Sequence, residues 1–301
     1  MNYEFLSGIL VVDKPTDWTS HDVVAKLRST LRIKRIGHGG TLDPMATGVL
    51  PVFIGRATRA AEFCENAEKE YVAGLTLGLV TDTQDITGQT ISECDASLTE
   101  NDLNAVIPNF LGTQKQVPPM YSAIKQNGRK LYELARRGVE VPRPPRDVLI
   151  PSIELLGGGG SDFQLRIVCS KGTYIRTLCH DIGASLGCGG TMSSLRRIRA
   201  GVFTLEMSQT LDEILAAASA GKAGSLVIPV DSIFSEYPPA TLNEDDTRKV
   251  KNGAQLRATG LMGGKYRFYG PDNEFLALGE VVGNETKVLK GFFQIEKENT
   301  K

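Results

Sequence analysis

The twelve residues from Gly37 to Gly48, GHGGTLDPMATG, constrain this chain more than any other stretch. They hold four glycines, one proline and one acidic residue. Such glycine density excludes a regular helix or strand, because glycine stands where backbone takes positive φ or approaches a partner closely. Pro44 holds the preceding residue, Asp43, to extended geometry. Asp43 is therefore a carboxylate on a largely preset backbone. The apolar run Val49 to Ile54 is expected to anchor the loop in a buried strand. Scaffolds present reactive groups in this way. Taken alone, an Asp-Pro pair in a glycine loop is ordinarily only a turn. Two nucleotide-binding patterns are excluded: there is no Gly-Lys-Ser/Thr ending of a P-loop, and the glycine spacing is not G-x-G-x-x-G.

Composition narrows the class. The chain has 301 residues, enough for one large domain and a small one. The formal net charge is -1, so any nucleic-acid surface must come from local clustering. Five cysteines without a C-x-x-C pair, and no visible signal peptide, read as reduced thiols of a cytoplasmic protein. No apolar run approaches a membrane span. His21, His38 and His180 show no ligand spacing with the cysteines, so no metal and no cofactor is expected.

Along the chain, Ile9 to Val12 reads as a short buried strand that Asp13-Lys14-Pro15 ends. Thr19 or Ser20 can cap a helix whose Val23, Val24, Leu27 and Leu31 recur at helical spacing. Arg28, Arg32, Lys34 and Arg35 follow, either a solvated helix end or cations that attract phosphate. Arg56 to Asn66 reads as a helix. Tyr71 to Val80 is the clearest strand, with Tyr71, Ala73, Leu75, Leu77 and Leu79 on one face. Asp82 and Asp85 lie in a turn-like run, and Thr99 with Asp102 makes a capping box for a helix through about Phe110. The stretch from Lys115 to Arg146 carries Lys125, Arg129, Lys130, Arg136, Arg137, Arg143 and Arg146, with Tyr121 and Tyr132 interleaved. Gly138 suits the C′ position of a helix from about Gly128 to Arg137. This is either a charged surface helix or a grip for structured RNA.

Further on, Ile153 to Leu156 and Phe163 to Ser170 read as a hairpin joined by Gly157–Gly160. The segment KGTYIRTLCHDIGASLG turns from strand to helix. Arg176 falls in that helix's first turn, where an arginine does not suit the dipole, so a carboxylate partner would explain it. A helix from about Leu211 to Ala218 follows. Past Tyr237-Pro-Pro the pattern shifts to short strands and glycine turns, and a domain boundary is expected near Ser235.

Several strings together carry a resemblance. HGGTLDPMATGVLPV resembles the active-site motif of the TruB family of tRNA pseudouridine-55 synthases. DKPTDWTSHDVV is similar to that family's first motif, with Asp17 where the family usually has glycine. KEYVAGLTLG, GTYIR and SSLRRIRAG are similar to further motifs, and PPMYSAIKQNGRKLYELAR resembles the tRNA-clasping segment of the bacterial enzymes. The resemblance covers roughly residues 7 to 205. It implies an α+β pseudouridine synthase fold, with a mixed, largely antiparallel sheet flanked by helices and the site in a central cleft. Domains are then expected at 1–235 (catalytic, with an RNA-gripping insertion at about 115–147) and 236–301, a small β-barrel of the RNA-binding PUA type.

By the same resemblance, Asp43 is the catalytic aspartate, Tyr71 stacks on the target base, Leu195 lines its pocket, and Asp85 joins a carboxylate–arginine network with Arg176. Arg176 would keep Asp43 ionised, and His38 would fill or buttress the space left by a flipped base. Lys14 supports the site or the RNA backbone, and Lys125, Arg129, Lys130, Arg136 and Arg143 bind RNA. The implied partner is the T-arm stem-loop of tRNA, without a membrane or an obligatory protein partner. The rival functions are an RNA-guided relative, a non-catalytic RNA-binding or tRNA-folding protein, and a hydrolase using Asp43 and Asp85 as paired carboxylates.

Overall fold

A computed structural model of the chain describes residues 3, 6–126, 128–254, 256–257 and 260–293. Nine strands form the main sheet: β1 (Gly8–Lys14), β2 (Ile36–His38), β3 (Thr47–Ile54), β4 (Lys69–Leu77), β5 (Ser152–Gly159), β6 (Asp162–Cys169), β7 (Gly190–Ala200), β8 (Phe203–Thr204) and β9 (Gln209–Thr210). Their order is β5-β6-β4-β7-β3-β1-β9, with β2 on β3 and β8 on β7. Only β7–β3 and β1–β9 are parallel, so the sheet is mixed and largely antiparallel, as expected.

The sheet is covered on both sides, which explains why β1 and β3 read as continuous apolar runs rather than alternating ones. Leu10, Val12, Leu50 and Val52 point into one core with helix α1 (Ser20–Leu31) and helix α2 (Ile175–Ser185). Ile9, Val11, Val49 and Phe53 point into a second core on the opposite face, with Ala57, Ala60, Cys64 and Phe234. Helix α1 starts where its sequence says. Thr19 Oγ1 accepts from the Asp22 N–H at 3.0 Å, and Asp22 Oδ2 accepts from the Thr19 N–H at 2.9 Å. Its apolar stripe, Val23, Val24, Leu27 and Leu31, is buried.

Several expected elements are broken where glycine intervenes. The strand expected to reach Val80 stops at Leu77. Gly78 takes φ 84°, and Leu79–Thr81 leaves to pair with Thr90–Glu93. The expected helix from Gly128 to Arg137 is only Leu131–Ala135. A short hairpin, Lys125–Gln126 with Arg129–Lys130, takes its first turn, because Gly128 at φ 81° cannot continue a helix. Gly138 does close that helix at C′. Its N–H reaches Ala135 O at 2.8 Å, and the Val139 N–H reaches Leu134 O at 3.0 Å. The helix expected over Arg56 to Asn66 divides into a 3₁₀ turn, Gly55–Ala60, and a helix, Ala61–Asn66.

The C-terminal residues form a five-stranded sheet in the order Pro239–Thr241, Gly264–Tyr269, Phe275–Val282, Glu285–Gly291, Leu256–Arg257. Among the described residues its two end strands do not pair with each other, so the expected small barrel is an open sheet. Helix Glu244–Lys251 adds Val250 to its core beside Leu242, Phe268 and Leu276. This sheet is fastened to the main one by aromatic packing. The Phe234 ring lies 4.9 Å from Phe63, 6.1 Å from Phe275 and 5.8 Å from Phe292. Among the described residues no helix is long and apolar enough to cross a membrane.

Candidate active site

The glycine loop leaves β2 after His38 and enters β3 at Thr47. It is pinned from four directions. Ser20, at the start of α1, accepts from the Leu42 N–H at 2.9 Å and donates to Leu42 O at 3.3 Å. The Asp17 N–H bonds Pro44 O at 2.9 Å. Lys14 Nζ donates to Pro15 O, Trp18 O and Pro44 O at 2.8, 2.6 and 3.1 Å. Arg197 Nη2 reaches Gly40 O at 3.2 Å, while its Nε holds Val49 O at 2.7 Å. Gly48 is obligatory here. It takes φ 98°, and a Cβ on it would lie 2.2 Å from Arg197 O in the neighbouring strand. Asp17 adopts φ 63°, the left-handed turn that glycine takes without strain and that aspartate tolerates.

Lys14 corrects an expectation. It is fully buried and cannot touch an RNA backbone. All three donors of its ammonium are used within the protein, so its work is to tie the turn from Pro15 to Trp18 to the Pro44 carbonyl next to Asp43. Burial pushes its pKa down to about 8, against the opposing pull of Asp43 and Asp17.

Asp43, Arg176 and Asp85 form one chain of charge. Arg176 is 5% exposed; its Nε and Nη2 face the two Asp43 carboxylate oxygens at 3.2 and 3.3 Å. Of the two, Nη2 makes the aligned hydrogen bond, and Nε is left without one. Its Nη2 also donates to Tyr121 O at 2.6 Å, and its Nη1 lies 3.4 Å from Thr83 O and 3.7 Å from Asp85 Oδ2. Asp85 is 7% exposed in its side chain, and Thr83 Oγ1, the Thr87 N–H and Thr87 Oγ1 all donate to its Oδ1. The awkward arginine in the first turn of α2 is thus answered by two carboxylates.

Asp43 alone of the three opens to solvent, with 32% of its side chain accessible. Even so, the surrounding protein raises its pKa by desolvation, and the Asp85 charge adds to the rise. Arg176 and Lys14 oppose it without reversing it. The sequence-based expectation that Arg176 keeps Asp43 ionised holds for the sign of its effect. The net direction is upward, so the carboxylate is a stronger base than an ordinary aspartate.

Tyr71 and Leu195 lie on adjoining strands, with Tyr71 opposite Arg197 and Ala73 opposite Leu195. Both are 8% exposed. Burial raises the Tyr71 pKa, against the opposing influence of the Arg197 guanidinium. His38 is half-buried, its Nδ1 has no hydrogen-bond partner, and burial next to Arg197 lowers its pKa, which leaves it neutral.

The basic segment hangs beside this site. Strand Gly112–Gln116 pairs with Arg146–Ile150 at its base. Gln116 fastens that base to the residue before α2, donating to Tyr174 O at 3.0 Å and accepting from the Tyr174 N–H at 2.8 Å. Lys125, Arg129 and Arg136 are exposed, and Lys130 is half-buried. Lys130 and Arg136 both lie over the Tyr132 ring, at 5.3 and 5.5 Å. Arg143 is already engaged within the chain: it pairs with exposed Glu140 at 2.8 Å and donates to Pro118 O at 3.3 Å. The residue missed from sequence is Arg197. Period two from Leu195 puts it on the inward face of β7, which was the available signal.

Comparison with known proteins agrees with this geometry. The family model described as TruB family pseudouridylate synthase (N terminal domain) matches residues 28–175, and that of the tRNA pseudouridylate synthase B C-terminal domain matches residues 176–235. A tRNA pseudouridine synthase B of Pelotomaculum thermopropionicum is 44% identical over 96% of this chain and 96% of its own. One of Clostridium kluyveri is 40% identical over 95% of this chain and 100% of its own. Among solved structures, a Cbf5-Nop10-Gar1 complex is similar at TM-score 0.73 and 30% identity, covering 95% of this chain and 85% of the matched one. An H/ACA RNP bound to a substrate RNA containing 2'-deoxyuridine is similar at TM-score 0.72 and 28% identity, with the same coverage. With loop, network and matches in agreement over nearly its whole length, the chain belongs to the TruB family of pseudouridylate synthases.

Proposed function

We propose that this protein converts the T-loop uridine at position 55 of tRNA to pseudouridine, with Asp43 as the catalytic carboxylate. The observation that carries this reading is the asymmetry of the charged chain. Asp85 and Arg176 are sealed in, and Asp43 alone faces the cleft. The reaction breaks the C1′–N1 bond, turns the uracil and joins C1′ to C5. The C5 proton is lost and N1 gains one, so mass and oxidation state are unchanged. A carboxylate serves such chemistry as nucleophile or base when it is ionised and positioned. Desolvation strengthens Asp43 as a base, and Arg176 limits how far its proton affinity rises.

The target base lies inside a folded loop and is flipped to be reached. Tyr71 offers a ring face and Leu195 an apolar wall to receive it. Neutral His38 would support the space that the base vacates. The exposed Lys125, Arg129 and Arg136, with half-buried Lys130, grip the T arm by its phosphates. We divide the chain near residue 235 into a catalytic domain and a PUA-like RNA-binding domain, and place the protein in the cytoplasm.

Purified protein is incubated with an unmodified tRNA transcript and EDTA, and pseudouridine is mapped. Wild type should modify position 55 alone, and Asp43→Asn should bind the transcript without modifying it. Native-rate conversion by Asp43→Asn would overturn the assignment. The likeness to Cbf5 complexes gives one competing reading, an enzyme that needs protein partners. Turnover by the purified chain alone would exclude it, and turnover only after addition of cell extract would support it.

A further inference from the structure

A cavity of about 820 Å³ opens at the junction of the two sheets, far from Asp43. It is lined on one side by Arg32, Lys34, Arg35 and Arg56, and on the other by Val230, Phe275 and Phe292. The strand register fixes its separation from the active site. Gly8 pairs with Ile54 at the cavity end, and Lys14 pairs with Gly48 at the Asp43 end. That run is roughly 20 Å at about 3.3 Å per residue.

The cations here outnumber the two acids of the cavity lining, in a chain whose formal net charge is -1. Among the described residues, Arg32, Lys34, Arg35, Arg56 and the adjacent Arg59 form no ion pair. The two acids in the lining have other partners, Glu274 in Lys251 at 2.7 Å, and Asp231 in Arg267 at 4.0 Å and the Tyr269 hydroxyl at 2.5 Å. Arg56 is held below its usual pKa by burial and by the like charges of Arg59 and Arg35, which outweigh the opposing pull of Glu274. Such a field is stabilised by an anion supplied from outside.

We propose that this cationic cavity binds the phosphodiester backbone of the tRNA substrate beyond the T arm, giving a second contact separate from the active-site cleft. The inference rests on the tRNA reading above. The cations are strung along a rim, from Arg32 to Arg35 and on to Arg56 and Arg59, and the space far exceeds one phosphate. A backbone with repeated charges matches that spread better than a single small anion. An RNA seated on Asp43 must span that run of roughly 20 Å to reach this rim.

The test is the triple variant Arg32→Gln, Lys34→Gln and Arg56→Gln in the full chain. Arg35 and Arg59 are kept because they brace the fold through Thr58 Oγ1 at 2.7 Å and Gly291 O at 2.8 Å. Binding of full-length unmodified tRNA and of an isolated T-arm hairpin is measured over a salt series. The expected result for full tRNA is a Kd about tenfold higher at ~0.1 M salt, with the salt slope reduced by about 2. Hairpin affinity and hairpin turnover should be unchanged, with an unaltered melting midpoint. Unchanged tRNA binding would overturn the proposal, and so would an equal loss for the hairpin. If wild type failed to isomerise the hairpin, the functional reading would fail, while the paired binding curves would still decide this one.

Discussion

Replacing Arg176 tests the charged chain most directly. Its guanidinium makes four short contacts at once: 3.2 and 3.3 Å to the Asp43 oxygens, 2.6 Å to Tyr121 O and 3.4 Å to Thr83 O. Arg176→Lys keeps the charge but replaces a planar fork with a point donor. It cannot hold Asp43 and both carbonyls together at 5% exposure. A charge-assisted hydrogen bond to the Asp43 carboxylate is worth ~2 kcal/mol, and losing that much transition-state stabilisation corresponds to about a 30-fold loss in kcat. Arg176→Met removes the charge outright and should lose ~10³-fold.

The pH profile separates this from simple misfolding. Arg176 is the largest influence lowering the Asp43 pKa, which desolvation and Asp85 already raise. In Arg176→Met the acid limb of kcat therefore moves to higher pH than in wild type, because more alkaline solution is needed to ionise Asp43. Single-turnover conversion of a saturating tRNA transcript is followed from pH 5 to 9. Arg176→Lys with at least half the wild-type rate, or Arg176→Met with an unmoved acid limb, would refute the pairing.

Lys14→Met should remove the donors of three carbonyls and lower stability by ~3 kcal/mol or more in urea melts at pH 7. The folded-state Lys14 pKa is about 8, below its ordinary 10.5, so the unfolded chain holds this proton more tightly. The charging penalty is full below about pH 8 and fades as pH rises to 10.5, so wild type gains stability across that window and Lys14→Met lacks this gain. Gly48→Ala forces a Cβ 2.2 Å from Arg197 O at φ 98° and should cost ~2–4 kcal/mol with a large loss of turnover, read by melting and by the same assay. Arg129→Ala and Arg136→Ala should each flatten the salt dependence of tRNA binding by about 1 without moving the melting midpoint.

Much of the site could be read from residues because its parts are local. The Gly37–Gly48 loop, the Thr19 and Thr99 caps, and the inward face Tyr71-Ala73-Leu75 each follow from a period or from the φ range of one residue. What could not be read depended on residues distant in sequence. Lys14 looks like a solvated cation until the turn through Trp18 and the loop at Pro44 converge on it. Arg143 resembles its basic neighbours, and only the fold brings Pro118 O beside it. The hairpin at Lys125–Lys130 won over helix because Gly128 left the helical range, which composition alone does not reveal. The open C-terminal sheet differs from a barrel only in whether its first and last strands meet, a long-range fact that short strands and glycine turns do not encode.

Arg197 ties Gly40 to Val49 and stands opposite Tyr71 across the strand pair, so the loop and the ring share one neighbour. The loop that carries the acid and the ring that would face the nucleobase therefore cannot drift independently. Double-mutant cycles between the two should show strong coupling although they lie on different strands. An engineer who wished to reshape the base pocket would have to rebuild both walls around a new common post.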